Sequence, residues 1–91
     1  MAGVALQPQT QELASWARRH GLRQLTAAEA WGITIVPGIE DRDSDRLVAS
    51  ALRLSCVHGV EAVAAPPHGV GIWVFWECGG RTHDAVFVRN L

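Results

Sequence analysis

Gly69 to Arg89 reads GVGIWVFWECGGRTHDAVFVR, and the way this stretch turns back on itself decides the fold. Ile72 to Cys78 is a run of strand-favouring residues that ends at Gly79-Gly80, and a second such run follows from Thr82 to Val88. Gly-Gly tolerates positive φ at both central positions of a type I′ turn, so the spacing predicts a β-hairpin bent there. Its register places Cys78 opposite Arg81, Trp76 opposite His83, Val74 opposite Ala85 and Ile72 opposite Phe87. On the other face Glu77 opposes Thr82, Phe75 opposes Asp84 and Trp73 opposes Val86. The first face is apolar and belongs in a core. The second mixes aromatics with carboxylates, which suits neither a core nor an ordinary solvent face.

Working outward, the residues before the hairpin read as its cover. Leu13, Trp16, Ala17 and His20 fall on one stripe of a helix running from about Thr10 to His20, with Gly21 as its stop. Thr26-Ala27-Ala28-Glu29 has the spacing of a capping box and opens a short helix that Gly32 ends. Ile33 to Val36 reads as a buried strand closed by Pro37-Gly38. Acidic residues and Ser44 at a helix entrance suit its free amides, and a helix is expected from about Ser44 to His58, stopped by Gly59. Leu47, Val48, Ala51, Leu52 and Ser55 make its inward face, bordered by Leu54, with Arg46, Ser50 and Arg53 outward. Val60 to Ala65 reads as a strand, and Pro66-Pro67-His68-Gly69 as a turn. Residues 1–9 are expected to be a loose arm on a single domain spanning 1–91.

The expected fold class is therefore α+β, with a small mixed sheet of about four strands. The order is helix, short helix, strand, helix, then a three-strand meander, with the helices on one face and a right-handed crossover joining the first two strands. Ile72, Val74, Trp76, Ala85 and Phe87 are expected to meet Leu47, Ala51 and Leu54. Burying one large side chain there contributes roughly 1.5–3 kcal/mol, so this face dominates folding.

Composition narrows the function classes. The 91 residues are 48% hydrophobic and 19% charged, which excludes an intrinsically disordered chain. A formal charge of −1 offers no excess for gripping or imitating phosphate. All eight basic side chains are Arg, a coding bias typical of GC-rich bacteria or their phages. Two cysteines are too few for a disulfide scaffold, and no apolar run is long enough to span a bilayer. MAGVALQPQTQE lacks the features of a signal peptide, so a cytoplasmic setting is expected.

Specific chemistry is weakly signalled. Cys56, His58, Cys78 and His83 are metal-ligand types without a close-spaced pair on one face, so no metal is expected. His83 and Asp84 are consecutive on a strand and point oppositely, which prevents a Cys78–His83–Asp84 relay. No phosphate loop or nucleophile elbow is present, so neither an enzyme nor a cofactor is expected. The hairpin's mixed face is the expected contact surface: Trp73, Phe75, Glu77, Asp84 and Val86, with Arg81 or Arg89 of a second copy as charge partners across a two-fold axis. The expected function is a non-enzymatic protein-binding module working as a homodimer, of the kind used as accessory or inhibitory factors by bacterial mobile elements. One alternative is a dimeric nucleic-acid-binding regulator, and another a binder of a small cation held by the aromatic faces. A competing reading has the first helix cover the mixed face through Trp16 and Leu13.

Overall fold

Gly79 and Gly80 adopt φ of 62° and 75°, so the hairpin bends where the spacing puts it. The computed structural model describes residues 10–89; the expected arm at 1–9 lies outside them. Strands β4 (Val70–Cys78) and β5 (Arg81–Arg89) pair in the expected register from Cys78↔Arg81 to Ile72↔Phe87. Around them the chain runs α1 (Gln11–Arg19), β1 (Leu22–Gln24), α2 (Ala27–Ala30), β2 (Val36–Pro37), α3 (Arg42–Ala51) and β3 (Val57–Ala64). The five strands form one sheet in the order β1-β5-β4-β3-β2, and every neighbouring pair is antiparallel.

The fold class is α+β as expected, but among the described residues the sheet is antiparallel throughout, with five strands and no parallel crossover. The reason lies in where β2 sits. Val36 and Pro37 pair with Ala64 and Val63, at the sheet end far from the hairpin bend. The ten residues of α3 then rise about 15 Å, continuing in the direction of β2. The chain re-enters the sheet beside Trp76, near the bend, so β3 has to run back toward β2. The additional strand, β1, is three residues long and pairs Leu22, Arg23 and Gln24 with Arg89, Val88 and Phe87.

One face, termed inner, carries the expected core. Ile72, Val74, Trp76, Ala85 and Phe87 pack with Leu47 and Ala51 of α3, and with Leu13, Trp16 and Ala17 of α1; Leu54 is partly buried against them. Leu13, Trp16 and Ala17 of α1 and Leu47, Val48 and Ala51 of α3 thus turn inward as their periodicity dictates, whereas His20 and Ser55, expected inward, are exposed and Ser50, expected outward, is half-buried. Trp16 Nε1 donates to Ser50 Oγ at 2.9 Å and pins the two helices together. Helix α3 starts two residues earlier than expected, because Asp41 caps it by accepting from the Ser44 amide at 2.8 Å, and is shorter because it ends at Ala51. Leu52, expected inward, is 55% exposed. Gly59 is not a helix stop but lies in β3, next to a bulge between Val57 and Gly59.

The outer face is covered by neither of these helices. Leu13 and Trp16 belong to the inner core, so the first helix does not cover the mixed face. Residues after β1 do so in part: Leu25 and Ile35 form a second buried cluster with Val63, Ala65, Val86 and Val88, against which Ile33 and Trp73 pack. Between these two covering residues α2 is held by its capping box, with Thr26 Oγ1 accepting from the Glu29 amide and Glu29 accepting from the Thr26 amide. Ile33 and Ile35 therefore serve as core outside the strand ladder, which only Val36 and Pro37 enter.

Candidate functional site

The cover stops at Trp73. Toward the hairpin bend the outer face carries Trp73, Phe75, Glu77, Thr82 and Asp84, joined from β3 by Glu61, which pairs opposite Trp73, and by Gly59 opposite Phe75. Glu61, Glu77 and Thr82 are exposed, while Trp73, Phe75 and Asp84 are half-buried. Trp73 and Phe75 lie two apart on β4, so their rings share the face, with centroids 5.2 Å apart and planes tilted by 33°. Phe75 leans over Gly59, where a Cβ would stand 3.9 Å from its ring. The Trp73 indole N–H donates to Asp84 Oδ2 at 2.9 Å. The result is an aromatic ledge flanked by three carboxylates.

Four of the five expected contact residues meet here. Val86 does not: it is fully buried under Leu25 and Ile35 and is a core residue out of a partner's reach. Nor do the two arginines stand on this face. Arg81 pairs opposite Cys78 at the exposed bend and alternates to the inner side. Arg89 is at the other end of β5, about 26 Å along the strand, opposite Leu22. Its guanidinium lies 3.3 Å from Asp43 of α3.

Other polar groups serve the scaffold. Arg23 forks onto Glu29 with contacts of 2.7 and 2.8 Å. That fork, with the Thr26 amide, lowers the Glu29 carboxyl to a pKa of about 2. Hydrogen bonds from Cys56 and Ser55 hold the Glu12 carboxyl below its ordinary range and tie α1 to the start of β3. Burial pushes the Cys56 thiol up, away from the thiolate that nucleophilic chemistry uses. The four metal-ligand types do not converge. Cys56 Sγ is 3.3 Å from Thr10 Oγ1, His58 Nε2 is 3.2 Å from Glu77, and His83 Nε2 lies 3.0 Å from the Cys78 carbonyl. Among the described residues no group of three or more His, Cys, Asp or Glu is placed to hold an ion, and no helix is long and apolar enough to cross a membrane.

Two surface features escaped the reading of the sequence. Trp31, the C-cap of α2, is 83% exposed on the segment that covers the outer face; a four-residue helix has no stripe from which to foresee that. An open groove of about 280 Å³ lies along α3, lined by Arg46, Ala49, Ser50 and Arg53. The outward placement of Arg46 and Arg53 was legible, but the groove between them was not. Comparison with protein-family models, with curated proteins and with solved structures finds no match to this chain.

Proposed function

We propose that this domain is a non-catalytic protein-binding module of the cytoplasm, and that its contact surface is the open half of the outer sheet face. The observation that carries the reading is the abrupt end of the cover. Residues 25–35 seal Val63, Val86 and Val88, yet Trp73 and Phe75 next to them are only partly buried. A large aromatic surface left partly open beside charged residues is how protein contact sites are built, with rings as anchors and charges as selectors. Glu61, Glu77 and Asp84 select for a partner bearing arginine or lysine. The two rings touch each other and leave no gap between them, which favours docking against a surface over enclosing a small cation.

A second copy of the chain is the partner of choice, and solution mass is the direct test. Light scattering of the wild type is expected to show a mass above that of the monomer, rising with concentration. Phe75→Ser is expected to return it to monomer while keeping a cooperative melt at a lowered midpoint, since Phe75 belongs to neither buried cluster but packs on Trp73. A wild type that stays monomeric, or a Phe75→Ser variant that loses stability without any change in mass, overturns the proposal.

A further inference from the structure

The outer face and the α3 groove lie on opposite sides of the sheet and carry opposite charge. Glu61, Glu77 and Asp84 surround the aromatic ledge, with His58 Nε2 3.2 Å from Glu77 and the Trp73 indole donating to Asp84. Arg46 and Arg53 line the groove, and among the described residues neither has a carboxylate partner. The sheet separates the two surfaces, so one copy cannot satisfy itself. A two-fold contact through the outer face would set three carboxylates against the same three of its partner, an arrangement penalised by like-charge repulsion. Arg81 and Arg89 do not relieve it, being on the inner side and, for Arg89, paired with Asp43.

We infer that the chain self-associates head to tail, the aromatic-acidic ledge of one copy docking on the arginine groove along α3 of the next. This rests on the proposed contact surface and names the surface it meets. Guanidinium groups stack on aromatic faces and fork onto carboxylates, so Arg46 and Arg53 match the ledge in both respects. Such a contact is heterologous: each copy keeps one unused face, and growth continues unless a ring closes.

The test exploits that asymmetry. In wild type the mass is expected to rise past two copies over a series reaching about 1 mM, and the association constant to fall on the order of tenfold between low and high salt. Arg46→Glu combined with Arg53→Glu, and separately Phe75→Ser, are each expected to give monomers with native circular dichroism. Mixed in equal amounts, the two variants are expected to form a dimer and stop there, because one intact ledge meets one intact groove. Self-association that plateaus at two in the wild type, or that persists in the arginine variant, overturns the inference. If Phe75→Ser nonetheless abolishes it, the contact face stands and only the head-to-tail geometry falls. A wild-type monomer that binds duplex DNA through Arg46 and Arg53 also overturns it.

Discussion

Trp73 and Asp84 are joined across β4 and β5 by an indole N–H bond of 2.9 Å, although they are diagonal and not directly opposite in the register. The bond fixes the indole over the outer face and occupies one carboxylate oxygen, leaving the other free to meet solvent or a partner. Asp84→Ala removes the acceptor from a half-buried donor and is expected to cost about 1–2 kcal/mol. Asp84→Asn keeps a carbonyl acceptor and is expected to cost less than half as much. Urea denaturation of both variants checks this, and equal losses would show that the bond does not orient Trp73.

Gly71 and Gly59 test the sheet in opposite ways. A Cβ at Gly71 would run into the backbone carbonyl oxygen of Phe87, and backbone inside a central pair of strands cannot move aside cheaply. Gly71→Ala is expected to cost about 3 kcal/mol or more, at or beyond the upper end of overpacking. At Gly59 the nearest atom is a Phe75 ring carbon at ordinary contact distance. Gly59→Ala is expected to be neutral or to stabilise by up to about 0.5 kcal/mol, since alanine loses less backbone entropy on folding. Thermal melts of the pair distinguish the two sites.

These contrasts also mark where the sequence was legible. The Gly79-Gly80 bend fixes the hairpin register outright, because a side-chain period of two leaves no freedom once the turn is placed. Thr26 and Glu29 announce their capping box at the required spacing. By contrast, Leu22–Gln24 is too short to show alternation, and its strand character comes from β5 alongside it. Gly59 after an apolar helix resembles a helix stop, whereas its role is to lie under the Phe75 ring in β3. Ile33 and Ile35 are apolar and β-branched whether they pair in a sheet or cap it from above. That ambiguity hid the partial cover of the outer face, and with it the burial of Val86.

The Arg23–Glu29 fork predicts a pH dependence of known sign. Glu29 has a carboxyl pKa of about 2 in the fold, against an ordinary value of 4.5. A depressed carboxyl stabilises the fold fully above its unfolded pKa, and the contribution is lost as pH falls through the folded one. Stability is therefore expected to decline between about pH 4.5 and pH 2. Glu29→Gln retains the capping geometry without the charge, and is expected to lower stability at neutral pH and to flatten the decline. Denaturation midpoints between these limits check it; an unchanged slope in the variant would assign the acid sensitivity to Glu12 or another carboxylate.

Trp16 and Trp76 are both sealed in the inner core but differ in how their indole nitrogens are satisfied. Trp16 Nε1 donates to Ser50 Oγ at 2.9 Å, whereas Trp76 Nε1 is buried with no hydrogen-bond partner among the described residues. A buried donor without an acceptor costs about 1–3 kcal/mol, and replacing the ring by one with no N–H recovers that while creating a cavity. At Trp16 the same replacement creates a comparable cavity and breaks a bond that links α1 to α3. Trp76→Phe is therefore expected to destabilise less than Trp16→Phe by about 1 kcal/mol or more. Chemical denaturation of the two single variants decides it, and an equal or larger loss at Trp76 would mean that its ring volume, packed against His83 at 5.8 Å between centroids, outweighs the orphaned donor.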